Sequence, residues 1–256
     1  MKTYKILDNA YILEDIIGCC CNLIIGTNKA LVFDTCSGFE NLYDGICKIT
    51  NLDLIVINSH GYFDHIGGNY QFNKVYLHKE DLNLPLKLYD INETRNLMIE
   101  YYQREIDKVF LNKGWDNLSS LSFDFFDLGN LTCEIKHIPG HTKGSIGILI
   151  PKLKLFLSGD TLSPSICLNF PNALAVDEMI STLFIIKSYK FEWFITSHHT
   201  YAFKKKYIDY LINCCEKSKC EKKCKFISPL NPTYIGKLYI YSIKDSMYGE
   251  CISIIE

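Results

Sequence analysis

The chain has 256 residues, 48% of them apolar and 22% charged, with 27 basic against 29 acidic side chains and a formal net charge of -2. That balance lacks the basic surplus that neutralises a phosphate backbone, which argues against nucleic acid as the main partner. No stretch reaches the roughly 18 consecutive apolar residues of a membrane helix, and Asp8, Glu14 and Asp15 follow the first lysines too soon for a signal peptide, so the chain reads as a cytoplasmic protein without a membrane partner.

No Pro/Ser/Gly-rich stretch or charge run divides the chain, so residues 1–256 are expected to form one domain. Short apolar segments predict strands at Asn22 to Ile25, Ala30 to Asp34, Leu52 to Asn58, Val75 to Leu77, Thr132 to Ile138, Ile146 to Ile150, Leu153 to Leu157 and Trp193 to Thr196, with a hairpin turn over Gly26 to Lys29. Phe39, Leu42, Tyr43 and Ile46 recur at helical spacing, as do Met179, Leu183 and Ile186, and each stripe should face a sheet. An insertion is expected at about 79–130, with a helix from about Glu93 to Phe110 and an aromatic stretch at Trp115, Phe123, Phe125 and Phe126. A further helix is predicted over Lys204 to Lys217. Leu238, Ile240 and Ser242 opposite Ile252 and Ile254 suggest a closing hairpin around Gly249.

The twelve cysteines are a small fraction of a long chain, and reduced thiols are the natural reading. Cys19, Cys20 and Cys21 alternate faces on a strand, which makes joint ligation of one metal awkward, so they are expected to be small core or surface residues. Cys214, Cys215, Cys220 and Cys224 are expected on buried and exposed faces of a C-terminal helix. His78 and His137 read as surface or hydrogen-bonded histidines.

Four separated pieces carry chemistry: HGYFDH (60 to 65), PGHTKGS (139 to 145), FLSGDTL (156 to 162) and ITSHH (195 to 199). Each puts a His or Asp after a predicted strand, where side chains from distant segments can converge on one rim. Together they supply His60, Asp64, His65, His141, Asp160 and His198. Imidazole and carboxylate donors suit a divalent transition metal, zinc first, with iron or manganese as alternatives.

This ordered set resembles the metallo-beta-lactamase-fold hydrolases, glyoxalase II-like enzymes among them, whose hallmark is HxHxDH followed by a lone His, a bridging Asp and a final His. Asp34 in VFDTCSG also resembles the family's early DTG loop, with Cys36 in place of the glycine. The resemblance covers roughly residues 20 to 200. It implies an α/β fold, the four-layer αββα sandwich, with a binuclear metal site at one edge. Carried over, the second site takes Asp64, His65, His198 and the bridging Asp160, while the first keeps His60, His141 and Asp160 but has Tyr62 where an imidazole is expected. Alignment of the family's Pro-Gly-His with Thr196, Ser197 and His198 favours His198 over His199 as the last ligand.

Tyr62 admits three readings. A phenol with a pKa of roughly 10 is a poor ligand at neutral pH, so the first site could be weak or empty and the protein hold one or two ions. Tyrosinate could ligate a harder ion, or the ring could line the pocket while water fills the position.

The resemblance implies hydrolysis of a small ester, thioester, lactone or related bond of a small-molecule substrate by a metal-bound hydroxide, with Asp64 orienting the nucleophile. Tyr101, Tyr102, Trp115 and Phe123 could supply an apolar wall, and Lys204 to Lys206 give a weak anion-site hint. The alternatives are a di-iron oxidoreductase-like protein of the same fold and a degenerate member that binds without turnover.

Overall fold

In a computed structural model, residues 1–84, 93, 96, 100, 117–221, 223–227, 235–242 and 250–255 are described. The first sheet runs in chain order: β1 (Lys2–Leu7), β2 (Ala10–Glu14), β3 (Cys20–Ile25), β4 (Lys29–Phe33), β5 (Asp53–Ile57), β6 (Val75–Leu77) and β7 (Leu118–Ser120). Its first four strands pair antiparallel, and β4 to β7 pair parallel. Gly26 closes the β3–β4 hairpin by donating its N–H to the carbonyl of Lys29 at 2.9 Å, at the turn the sequence predicts.

The second sheet contains β8 (Phe125–Asp127), β9 (Thr132–His137), β10 (Ile146–Ile150), β11 (Leu155–Leu157), β13 (Trp193–Ile195) and β14 (Phe203–Lys204), in the order β14-β13-β11-β10-β9-β8. A third, smaller sheet joins β12 (Ser165–Cys167) to the C-terminal strands β15 (Cys224–Ile227), β16 (Ile235–Ser242) and β17 (Glu250–Ile255). The predicted closing hairpin is β16–β17, with Leu238 opposite Ile254 and Ile240 opposite Ile252. Gly249 lies outside the described residues, as do most of the predicted helix Glu93 to Phe110 and Tyr101, Tyr102 and Trp115.

Strand alternation builds the layers. Leu31 and Phe33 of β4 meet Ile146, Ile148 and Ile150 of β10, Leu155 and Leu157 of β11 and Ile195 of β13 in a core between the two large sheets. The residues between them face outward: Ala30 and Val32 pack with Leu42 and Ile46 of α1 (Leu42–Cys47). On the far side Phe156 and Phe194 pack against Met179, Leu183 and Ile186 of α3 (Val176–Ser188) and Leu211 of α4 (Tyr207–Cys220). Three apolar interfaces therefore separate four layers, the αββα sandwich.

Four local expectations need correction. Phe39 precedes α1, and Tyr43 on that helix is 44% exposed, so only Leu42 and Ile46 carry its buried stripe. The helix expected from Lys204 begins at Tyr207, because Phe203 and Lys204 pair with Phe194 and Trp193 in the sheet and the Phe203 ring stacks on Phe194. Lys204 sits over the Trp193 ring, while Lys205 donates to the Tyr189 carbonyl and covers Phe191, so these two lysines do not gather into an anion site. Phe123 is an ordinary packing residue against Tyr76 and Phe126.

The sheets bring several strand ends to one rim. Phe33 is level with Ile57, and Leu157 with Ile195. Ile146 donates its N–H to the Ser59 carbonyl at 2.9 Å, which ties the two sheets together there. The four motif segments emerge at this rim.

Candidate metal centre

His60 leaves the end of β5, and α2 (Phe63–Ile66) turns Asp64 and His65 back toward it. The carbonyl of His65 accepts from the Thr35 N–H (2.8 Å), the Thr35 hydroxyl (3.1 Å) and the Asn58 amide (2.8 Å), which fixes the short helix. Gly38, at φ 79°, lets the Asp34 loop lie on this helix: a Cβ there would stand 2.1 Å from the Gly67 carbonyl oxygen.

The six residues singled out by the sequence meet at one point. Nε2 of His65 lies 3.5 Å from an Asp64 oxygen and 3.4 Å from Oδ2 of Asp160, and Nε2 of His198 lies 3.3 Å from both carboxylates. These edges match the separation of about 3.3–3.4 Å between donors in a tetrahedral site with bonds of about 2.0–2.1 Å. His141 approaches Asp160 at 3.8 Å, and the His60 ring stands 4.0 Å from that of His65 and 4.7 Å from that of His141. His199 is not part of the cluster: its Nδ1 is 2.9 Å from the Thr196 hydroxyl and its ring packs on Tyr201 and Phe203.

The donor chemistry fits a cation. Nδ1 of His60 is engaged by Ser59 and Nδ1 of His141 by the Cys167 carbonyl, each at 2.9 Å. Their Nε2 atoms, with Oδ1 of Asp160, are buried and make no hydrogen bond. A buried polar atom in that condition costs about 1–3 kcal/mol unless something answers it, and a cation placed among these lone pairs would do so.

Electrostatics point the same way. Burial opposes charge on Asp64 and Asp160, yet His65 and His198 hold both carboxyls well below the usual range. Burial likewise opposes a proton on His65 and His198, but Asp64, Asp160 and Asp34 raise the first, and Asp160 with Asp64 the second, well above the ordinary imidazole value. Burial holds His60 and His141 below it. Two protons thus stand where one divalent ion would carry the same charge.

Buried carboxylates organise the surroundings. Asp34 accepts from the Ser59 N–H (2.6 Å), the Ser59 hydroxyl (2.8 Å), the Ser197 hydroxyl (2.6 Å) and Nδ1 of His65 (3.0 Å), so it orients the imidazole from behind. Cys36, where the family's glycine would be, has a φ of 59°, a region that L-residues with a side chain rarely adopt. Asp81 had no signal in the sequence. It is fully buried and accepts from the N–H groups of Gly61 (3.2 Å) and Gly144 (3.0 Å), the Thr142 hydroxyl (2.6 Å) and the Asn172 amide (2.7 Å), joining the segments that bear His60 and His141. A Cβ at Gly144 would lie 2.5 Å from the Asp81 carboxyl carbon, so the glycine of PGHTKGS makes room for it.

Tyr62 is buried beside the cluster. Its hydroxyl donates to the Pro171 carbonyl at 2.7 Å, and its ring meets those of His60 and His141 edge-on at 4.9 and 5.0 Å. Cys19 was expected to be a core or surface residue. It does pack in the core beneath α1, and its sulfur also lies near Asp64 and His198, the three donor atoms falling within 4.8 Å of one another.

The family model of the metallo-beta-lactamase superfamily matches residues 18–199, which span every segment of this cluster. The chain belongs to this superfamily. Its curated relatives include the hydroxyacylglutathione hydrolase GloC of Haemophilus influenzae, 27% identical over 153 residues (56% of this chain and 66% of that protein), and the human acyl-coenzyme A thioesterase MBLAC2, 26% identical over 163 residues (55% and 57%). The matched stretch spans less than two thirds of either relative. Among solved structures, a metallo-beta-lactamase from Pontibacter korlensis superposes with a TM-score of 0.62 at 15% identity (84% of this chain, 98% of that one). The sec-alkylsulfatase Pisa1 of a Pseudomonas species gives 0.65 at 12% identity, covering 84% and 41%. Both establish likeness of fold.

Proposed function

We propose that this protein is a metal-dependent hydrolase of small carboxylic thioesters or esters, with zinc as its metal. The observation that carries the reading is the convergence of His65, His198, Asp64 and Asp160, from three separate segments, at edges of 3.3–3.5 Å. Asp64, His65, His198 and Asp160 would hold one ion, and His60 and His141, sharing Asp160, a second and weaker one. A bound divalent ion lowers the pKa of its water from about 15.7 toward about 7 and polarises a carbonyl oxygen.

The remaining contributions belong to the chain. Asp34 holds His65 by its Nδ1, leaving Nε2 to face the centre. Asp64, partly exposed at the rim, can accept a hydrogen bond from the attacking water and orient it. Tyr62 and its neighbour Phe170 present an aromatic wall beside the His60 half. Thioesters are put first because both curated relatives are named for cleaving them. Among the described residues no helix is long and apolar enough to cross a membrane. Free cysteines throughout the described residues suit a reducing compartment, in keeping with the expected cytoplasmic address.

The test is turnover of a panel containing a hydroxyacylglutathione, short and long acyl-coenzyme A thioesters, simple esters and lactones by zinc-loaded protein. Hydrolysis that chelation abolishes, zinc restores and Asp160→Ala removes is expected. Full metal loading with no turnover of any member refutes the hydrolase reading and leaves a binding role.

A further inference from the structure

Cys19 is the one described cysteine that shares a donor cluster with the candidate metal centre. It opens the run of three cysteines: Cys20 belongs to the core between the sheets and Cys19 and Cys21 to the core beneath α1, and of the three Cys19 alone also joins a donor cluster. Cys19 is only 3% exposed, and its sulfur lies within 4.8 Å of a His198 ring nitrogen.

The backbone aims this side chain. Asp15 donates its N–H to the Cys19 carbonyl (2.9 Å), Gly18, at φ 92°, donates to the Asp15 carbonyl (3.1 Å), and Oδ1 of Asp15 accepts from the Cys19 N–H (2.8 Å). Oδ2 of the same carboxylate takes the Ser37 N–H (3.0 Å), which anchors the turn to the Asp34 loop. On the other side Cys20 donates its N–H to the Ser197 carbonyl (2.8 Å), next to His198. Cys19 is thus clamped between the segment that carries His198 and a turn closed by a buried carboxylate.

We propose that Cys19 is a metal ligand, a thiolate donor on the Asp64–His198 side of the centre. The inference rests on the metal-binding reading above and adds to it a sulfur that the four sequence motifs do not contain. On binding, the thiol gives its proton to solvent and a sulfur lone pair forms the bond to the ion; no electrons are exchanged. A sulfur donor beside nitrogen and oxygen biases this side toward zinc and against manganese or magnesium. It also explains how one ion can be held firmly where Tyr62 removes an imidazole from the other half.

Cobalt(II) substitution reads the sulfur directly. Wild-type protein loaded with cobalt should show a thiolate-to-cobalt charge-transfer band in the near ultraviolet. Cys19→Ser should lose that band while still binding cobalt with its visible ligand-field absorption; Cys20→Ser and Cys21→Ser should keep it. Outer-shell partners alone are worth about 10–100-fold in metal affinity, so Cys19→Ser should weaken zinc by no less, with manganese less affected. Wild-type protein that binds cobalt without the band, or a Cys19→Ser variant that retains it, overturns the assignment but leaves the metal centre standing. Failure of wild-type protein to bind cobalt or zinc sinks the metal centre itself, and Cys19 with it. Circular dichroism and thermal unfolding of Cys19→Ser establish that a lost band reflects the missing donor and not a lost fold.

Discussion

Replacing Asp34 by Asn separates orientation of a metal-facing histidine from the donor set itself. Oδ1 of Asp34 takes the Ser59 N–H, whereas Oδ2 gathers the Ser59 hydroxyl, the Ser197 hydroxyl and Nδ1 of His65. In the amide, the oxygen can keep the backbone donor, but an NH2 group replaces the oxygen that served the other three. The hydroxyls can rotate and accept instead. The His65 ring, protonated on both nitrogens in the metal-free protein, can accept from the amide only by giving up its Nδ1 proton and keeping the one on Nε2, the atom that faces Asp64 and Asp160. Metal binding must then reverse that tautomer at the expense of the new hydrogen bond. The loss should be about 10–100-fold in zinc affinity, or about 1.4–2.7 kcal/mol at 1.36 kcal/mol per tenfold. Zinc titration against a chromophoric chelator measures it, with Asp34→Glu as a displaced carboxylate for comparison. Zinc affinity of Asp34→Asn equal to wild type would refute the reasoning, because the orienting bond would then carry no free energy.

If Tyr62 is what weakens the His60–His141 half, Tyr62→His should raise metal content toward two ions per chain by elemental analysis, and unchanged content and affinity would remove that explanation. His65 and His198 have pKa values raised well above 6.5 in the metal-free protein, so near neutral pH both carry protons that a cation must expel. Zinc binding should therefore release close to two protons from the imidazoles at pH 7, and a third from Cys19 where its sulfur ligates, and tighten as pH rises through that range, read by calorimetry in buffers of different ionisation enthalpy; zero release would contradict the proton-for-metal exchange. Asp81→Ala leaves three buried donors (Gly61, Thr142 and Gly144) and the half-buried Asn172 amide without their acceptor and should destabilise the fold by about 3 kcal/mol or more, a fall of about 6–12 °C in Tm for a chain of this size. A Tm within a degree of wild type would show that Asp81 does not brace these loops.

The central strands were legible because they are buried on both faces: β4, β5 and β10 are nearly continuous apolar runs, and their predicted bounds differ from the observed ones by no more than a residue or so. The motifs that converge at the rim are legible because a strand end followed by His or Asp is a local pattern. What escaped depends on distant partners. β12 is three residues long and is held parallel to β17, some ninety positions away, so no local pattern marks it. Asp81 sits in HKEDLN, which reads as a solvated turn, and becomes a buried acceptor only when Gly144 and Asn172 arrive from the second half of the chain. The alternation of Cys19 to Cys21 holds, since Cys20 faces one core and Cys19 and Cys21 the other, but which cysteine reaches the site is decided by the Asp15 turn.

The two halves of the centre differ for a physical reason. In the proposed His60–His141 half, the Tyr62 hydroxyl is directed to a backbone carbonyl and its ring lies edge-on to both imidazoles, so an aromatic wall stands beside them. In the Asp64–His198 half, two carboxylates and two imidazoles already stand at ligand spacing, with a thiol beside them. Once a cation has displaced the protons of His65 and His198, the second side offers more negative charge and more lone pairs than the first, so the first equivalent of metal should settle there at a pH high enough for that exchange. The His60 half then fills only at higher metal concentration, with Asp160 as the shared donor. Chemistry that needs one ion would therefore start at the first equivalent, and chemistry that needs the pair would appear only at the second. Activity followed against added zinc distinguishes these, because it saturates at one equivalent in the first case and lags until the second in the other.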